Sequence, residues 1–230
     1  MEAVVLAGGL GTRLRSTVPD LPKAMAPVCG RPFLEILLSA LAGKGCKRVV
    51  ISLGYMADRV QAHFGQSFAG IDIVYEVETR PLGTGGALRR SLGRCEADHV
   101  LVLNGDTYLD LEIDQVEAHW QQERLPIIVA REVADTARYG RLTTEGKRLV
   151  GFAEKGLSGR GLINAGYYLF PRDISRSFPA AENFSLENDF LVAAVGKRPF
   201  QVFTTRGQFI DIGVPEDYSR AQTELSGLCT

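Results

Sequence analysis

The residues best suited to chemistry in this sequence are a glycine loop with two cations and a pair of aspartates in apolar frames. Gly8, Gly9 and Gly11 follow directly on Val4-Val5-Leu6-Ala7. Glycines at such a point let the backbone turn sharply and aim several N–H groups at one anion. Arg13 adds a guanidinium fork matched to phosphate oxygens, and Lys23 adds a compact, mobile cation about ten residues on. The stretch suits a polyphosphate. It is neither a dinucleotide fingerprint, because Leu14 takes the place of its last glycine, nor a P-loop, because G-K-[ST] is missing. Asp106 closes the apolar run His99–Leu103 through Asn104-Gly105, and Asp211 stands within Phe209-Ile210-Asp211-Ile212-Gly213. A carboxylate in such a frame costs energy unless a cation meets it. Two of them converging would suit Mg²⁺, which takes one or two carboxylates together with phosphate oxygens and water. Taken singly, Asp106 also reads as a turn residue, Asp211 as a capping acid, and the glycines as a plain turn beside a solvated arginine.

The elements that must position these residues are legible from periodicity. A short apolar strand precedes the loop, and Phe33 to Ala42 has an amphipathic helical pattern. Arg48 to Leu53 reads as a strand, Ala57 to Phe64 as a helix, Asp72 to Val77 as a strand, Gly86 to Leu92 as a helix and His99 to Leu103 as a strand. Gly83-Thr84-Gly85-Gly86 would leave free N–H groups ahead of the third helix. Such alternation predicts an α/β fold with a doubly wound, mostly parallel, Rossmann-like sheet whose ligands lie beyond the carboxyl ends of its strands. A helix over Asp114 to Gln122 and a strand over Ile127 to Ala130 follow. Val133 to Phe170 is richer in short strands and turns, Ser185 caps a helix, Phe200 to Thr204 is a late strand and Pro215 opens the last helix.

A chain of 230 residues with 45% hydrophobic content reads as one domain, 1–230. Net charge is −1, which gives no electrostatic footprint for nucleic acid or an anionic membrane. Cys29, Cys46, Cys95 and Cys229 are scattered without a C-x-x-C pair, and His63, His99 and His119 share no metal-ligand spacing. These features point to a reducing cytoplasm and away from zinc or a disulfide scaffold. No signal segment, membrane span or internal repeat is evident.

The run Leu6-Ala7-Gly8-Gly9-Leu10-Gly11-Thr12-Arg13-Leu14, followed by Pro22-Lys23, resembles the signature of the sugar-1-phosphate nucleotidyltransferases. Leu14-Arg15-Ser16, Met25-Ala26-Pro27-Val28 and Arg31-Pro32-Phe33-Leu34-Glu35 are most similar to the heptose-1-phosphate guanylyltransferase branch. Many hexose-specific members carry Pro-Leu-Thr where Ser16-Thr17-Val18 stands. The resemblance, which runs to about Tyr218, implies a GT-A-like nucleotidyltransferase fold, with a nucleotide-binding half over about 1–130 and a sugar-phosphate half over about 131–218. It implies that Leu6, Ala7, Gly8, Gly9, Gly11, Thr12, Arg13, Lys23, Glu78, Gly83, Thr84 and Asp106 bind the nucleotide. Gly140, Glu154, Lys155 and Asn164 would bind the sugar phosphate, with Lys155 on the phosphate and the others on hydroxyls. Asp106 and Asp211 would hold Mg²⁺, and Arg13, Lys23, Asp106 and Asp211 would be catalytic. Phe209 replaces the tryptophan common two residues before the second aspartate.

The expected reaction joins GTP and a sugar 1-phosphate to give a GDP-sugar and pyrophosphate, by positioning and charge neutralisation rather than a covalent nucleophile. Glu78 lies where uridylyl and thymidylyl relatives often carry Gln. A carboxylate only accepts hydrogen bonds, which suits the adjacent N1–H and N2 amine of guanine. A solvated Glu78 paired with Arg80 is the plainer reading. A homodimer is the family habit. Other readings stay open on the residues alone: a uridylyl, thymidylyl or mannose-1-phosphate enzyme, a cofactor nucleotidyltransferase, a glycosyltransferase, or a non-catalytic domain that binds a nucleotide-sugar.

Overall fold

In the computed structural model, which describes residues 1–9, 11–14, 17–153, 156 and 158–228, strands and helices alternate through the first hundred residues or so. β1 (Glu2–Leu6) runs into the glycine loop, a 3-10 turn at Lys23–Met25 and a small hairpin of β2 (Pro27–Val28) and β3 (Arg31–Pro32). α1 (Phe33–Gly43), β4 (Arg48–Leu53), α2 (Ala57–Phe64), β5 (Ser67–Phe68), β6 (Ile71–Val77), α3 (Gly83–Leu92) and β7 (His99–Asn104) follow. Next come β8 (Thr107–Leu109), α4 (Ile113–Glu123), β9 (Ile127–Val133), β10 (Leu142–Glu145), β11 (Arg148–Phe152) and the long β12 (Gly161–Pro171). A 3-10 stretch at Arg172–Ser177 and a π-helical turn at Leu186–Leu191 lead to α5 (Val192–Val195), β13 (Gln201–Thr205), β14 (Phe209–Asp211) and α6 (Pro215–Glu224).

Ten described strands form one sheet in the order β10-β11-β13-β9-β12-β7-β1-β4-β6-β5. β7, β1, β4 and β6 are parallel neighbours, and β9 and β13 are parallel. β12 runs antiparallel between β7 and β9. The expected doubly wound, mostly parallel sheet is therefore present. Its direction of growth reverses at β1, with β4 on one side and β7 on the other, so the crevice for a ligand opens beyond the ends of β1 and β7.

Side chains of a strand alternate between faces, and both faces are covered here, which is why the parallel strands are apolar throughout. Val5, Ile51 and Leu103 pack on one side with Leu34, Leu38 and Leu41 of α1. Val4, Val50 and Val102 pack on the other with Leu88 and Leu92 of α3. A third cluster joins Ala221 of α6 and the adjoining Leu225 to Ile210, Ile212 and the outer α1 residues Phe33, Ile36 and Leu37. Burying one such side chain contributes about 1.5–3 kcal/mol, so the last helix is held where it can carry neighbouring residues to the sheet's carboxyl end.

Two readings of the sequence are corrected. α3 begins at Gly83, three residues ahead of the expected start, so the glycines form its first turn instead of preceding it. The Gly85 N–H is not free for an anion: it donates to the Phe184 carbonyl (2.9 Å), and Thr84 Oγ1 accepts from Leu186 N (2.9 Å). Side chains at Gly85 or Gly86 would run into Phe184 and the Glu182 carbonyl, so close packing explains these glycines. Ser185 does cap the next helical segment, accepting from Asn188 N (3.1 Å), although that segment is π-helical at first. Among the described residues no helix is long and apolar enough to cross a membrane.

Candidate active site

The loops after β1 and β7 cross at the switch point. Gly105 N donates to the Leu6 carbonyl (2.9 Å), and Ala7 N donates to the Ser52 carbonyl (2.9 Å). A Cβ at Gly105 would fall 2.9 Å from that of Ala7, so only glycine lets the two loops lie this close. Beneath them opens a cavity of about 530 Å³ lined by Leu6, Ala7, Gly8, Gly9, Lys23, Glu78, Gly83, Thr84 and Asp106. These nine belong to the expected nucleotide set; nine more residues, among them Gly54, Tyr55, Thr79, Arg80 and Ala87, complete the lining. Gly11 and Thr12 line neither this cavity nor its neighbour; Gly11 packs against Lys23, and Arg13 lines the neighbouring cavity.

Glu78 is half-buried at the rim, and burial raises its carboxyl above the ordinary range, against hydrogen bonds from Leu82 N and Ser52 Oγ. Leu82 N donates to Oε2 (3.1 Å) and Ser52 Oγ approaches Oε1 (3.5 Å). The plainer reading, a surface pair with Arg80, does not hold: Arg80 pairs with Glu182.

The two aspartates meet through an element that periodicity did not reveal. β8 and β14 pair antiparallel, with Asp211 opposite Thr107, and Ile212 N donates to the Asp106 carbonyl (2.9 Å). Tyr167 Oη, buried under the sheet, donates to the Thr107 carbonyl (3.0 Å) and anchors the same turn. Burial, and then the neighbouring charge of Asp106, push the Asp211 carboxyl up to about 6, while Lys23, the Gly213 N–H (2.6 Å) and Arg13 oppose the shift. Lys23 forms an ion pair with Asp106 Oδ2. Asp211 is thus buried beside a second carboxylate, and Lys23 and Arg13 offset its charge only in part. A hard divalent cation can offset the rest, with two carboxylates and oxygens from phosphate and water as ligands. Among the described residues no cluster of three or more His, Cys, Asp or Glu side chains could hold a metal, so a substrate-completed ion fits better than a closed structural site.

A second cavity, of about 750 Å³, adjoins the first and shares Asn104 and Asp106 with it. Arg13, Gly140, Asn164 and Asp211 line it, together with Arg138, Tyr139, Glu187 and Asp217. Asn164-Ala165-Gly166 forms a bulge in β12: Asn164 pairs with Ala130, but the next paired residue, Tyr168, faces Ile128. Gly166 has φ +71°, a left-handed conformation that glycine adopts without strain. Asn164 Oδ1 accepts from Gly166 N (3.0 Å), and its Nδ2 donates to Tyr168 Oη (2.8 Å) and Glu187 Oε1 (3.0 Å). Asn164 therefore orients Glu187 as well as lining the space. Glu154 and Lys155 lie outside the described residues.

Of the lining residues, Tyr139 was expected as part of the Tyr139-Gly140 motif, whereas the side chains of Asn104, Glu187, Arg138 and Asp217 were not. Asn104 was visible only as the start of the turn before Asp106. Glu187 and Asp217 both sit in first helical turns, where an acid is expected for the helix dipole alone.

A switch-point cavity, a second polar cavity adjoining it at Asp106, and Asp211 converging on that acid form an arrangement that suits nucleotidyl transfer. Residues 2–227 match the nucleotidyl transferase family, and the chain belongs to it. It is 38% identical over 226 residues to the D-glycero-α-D-manno-heptose 1-phosphate guanylyltransferase of Aneurinibacillus thermoaerophilus, covering 98% of both chains. Identity to the protein of that name from Campylobacter jejuni is 39% over 219 residues, 95% of this chain and 97% of the relative. The crystal structure of HddC from Yersinia pseudotuberculosis complexed with GMP-PN superposes with a TM-score of 0.86 at 37% identity, covering 98% of this chain and 99% of that one.

Proposed function

We infer that this chain transfers GMP from GTP to a heptose 1-phosphate, D-glycero-α-D-manno-heptose 1-phosphate by its relatives' activity, releasing pyrophosphate and forming a GDP-heptose. The observation that carries the reading is the meeting of the two cavities at Asp106, with Asp211 held beside it across the β8–β14 pairing. GTP takes the first cavity, its base against Glu78 and its phosphates against the Gly8–Gly9 backbone and Lys23. The sugar phosphate takes the second, where Glu187 and the Gly140 backbone offer acceptors to hydroxyls; by the family resemblance, Glu154 and Asn164 would hold hydroxyls and Lys155 the phosphate. On this reading, residues up to about 130 bind chiefly the nucleotide, and those from about 131 to 218 the sugar phosphate.

An oxygen of the sugar phosphate attacks the α-phosphorus of GTP in line, and the bond to the β-phosphate breaks. Among the described residues no Cys, Ser or His lines either cavity, which suits direct displacement without a covalent enzyme intermediate. Lys23 neutralises charge from the first cavity and Arg13 from the second, where it bears on Asp211. Asp106 and Asp211 would hold a divalent ion, Mg²⁺ by its hardness, which supplies charge stabilisation for the reacting phosphates. Supply of GTP is consistent with a cytoplasmic enzyme, as are Cys29, Cys46 and Cys95, which are free thiols. A homodimer is part of this reading, and light scattering of the purified chain tests it.

Incubation with GTP, MgCl₂ and D-glycero-α-D-manno-heptose 1-phosphate, followed by mass spectrometry, tests the reaction. GDP-heptose and pyrophosphate in equal amounts are expected. GTP hydrolysis to GMP without a sugar adduct would contradict it.

A further inference from the structure

The geometry points to Arg138 as a phosphate-binding residue of the second cavity, held in place for that task by the buried carboxylate of Asp217. The assignment rests on the sugar-phosphate reading of that cavity. Any sugar phosphate entering it meets Asp106, Asp211, Glu187 and Asp217 along the walls, four carboxylates of which Asp217 is already held by two arginines. Arg13 and Arg138 are the cations lining it among the described residues. Arg13 is tied electrostatically to Asp211, whereas Arg138 lies on the segment before β10, with its side chain more than half exposed.

Its anchorage is what makes Arg138 more than a solvated surface residue. Arg138 Nη2 donates to Asp217 Oδ2 (2.8 Å), while Arg220 Nη1 donates to Asp217 Oδ1 (2.9 Å). Asp217 is 4% exposed, a burial that an aspartate tolerates when both oxygens are satisfied. Arg220 has a second acid of its own, Glu224, bonded at Nε (3.0 Å) and Nη2 (2.9 Å). Arg138 donates, among the described residues, to Asp217 through Nη2, with Glu216 a weaker electrostatic neighbour, so the rest of its guanidinium fork is available to phosphate oxygens. The segment that carries it is fixed at both ends: Thr136 N donates to the Gly159 carbonyl (3.0 Å), and the ring of Tyr139 packs edge-on to Phe209 (6.5 Å between centroids), two residues before Asp211. The guanidinium is therefore presented at a fixed place, and its ordering cost is met in folding instead of in binding.

Arg138→Gln, Arg138→Lys and Asp217→Asn test the assignment, with initial rates measured against heptose 1-phosphate at saturating GTP and against GTP at saturating sugar phosphate. Equilibrium binding of the sugar phosphate, with a non-hydrolysable GTP analogue present, is followed by calorimetry. Arg138→Gln should raise KM and Kd for the sugar phosphate about tenfold or more, with KM for GTP unchanged. Arg138→Lys should recover part of the loss. Asp217→Asn should move the same constant in the same direction, and the Arg138→Gln, Asp217→Asn double variant should be no worse than Arg138→Gln. Unchanged sugar-phosphate constants in Arg138→Gln, or equal shifts for both substrates, would overturn the role of Arg138 while leaving the reaction standing. Binding that depends on Arg138, in a protein that releases no pyrophosphate, would sink the reaction and keep the residue's role. Failure of the wild-type protein to bind any sugar 1-phosphate would overturn both.

Discussion

Asp211 carries the sharpest conflict in the molecule, because the fold buries its carboxyl beside Asp106 and lifts it to about 6. An unfolded aspartate titrates near about 3.9, so between these values the native chain binds the extra proton. Stability of the metal-free protein must therefore fall as pH rises from about 4 to about 6, and stay reduced above that range. Asp211→Asn should raise the melting temperature relative to wild type at pH 7.5, with the gap closing at pH 4, while abolishing turnover. A variant less stable than wild type at pH 7.5 without metal would contradict this. Glu78 gives a second residue-scale prediction. Its carboxyl is also raised by burial, and on the proposed reading its contact with guanine needs the ionised form. Glu78→Gln should lower kcat/KM for GTP by about ten- to hundredfold and admit UTP or dTTP. Wild-type KM for GTP should rise as pH falls through the raised value, and the Gln variant should show no such rise. A variant with intact GTP preference would move base selection to the backbone around Leu6–Gly8 and Gly83.

At the scale of elements, two short features do most of the positioning: the β8–β14 pairing and the β12 bulge. The pairing spans only three residues a side, so no alternation was visible over Thr107–Leu109, and the convergence of Asp106 with Asp211 could be expected only by resemblance. The bulge was present in the sequence as Asn164-Ala165-Gly166, but a lone glycine in an apolar strand does not say which way the chain bends. Gly166→Ala tests its weight. The substitution forces a side chain into φ +71° and against the Asn104 amide, which lies at the junction of the cavities. A loss of about 1–3 kcal/mol in stability is expected, together with a raised KM for the sugar phosphate. Unchanged stability and kinetics would show that the bulge is not required. The glycines opening α3 teach the opposite lesson: their composition suggested an anion site, and tertiary packing against Phe184 explains them instead.

Across the whole molecule, the parallel strands and their helices were legible because both sheet faces are covered, which makes β1, β4 and β7 continuous apolar runs bounded by glycines and turns. The order of the sheet was not, since periodicity says nothing about which strands become neighbours, and β12 inserts antiparallel between β7 and β9. The first cavity was half legible in the sequence: nine of its eighteen lining residues were expected, at strand ends and loop glycines, while Gly54, Tyr55 and Ala87 among others were not. The second was less so: Arg138, Glu187 and Asp217 come from separate segments that only the fold brings together. The central claim is that this joined pair of cavities transfers GMP to a heptose 1-phosphate. Its most direct measurement is the rate of pyrophosphate release over GTP, ATP, UTP and dTTP, crossed with heptose, mannose and glucose 1-phosphates. The highest kcat/KM should fall on GTP with D-glycero-α-D-manno-heptose 1-phosphate, with other bases weaker by about tenfold or more. Equal or faster release with UTP or dTTP, or with a hexose 1-phosphate, would contradict the account.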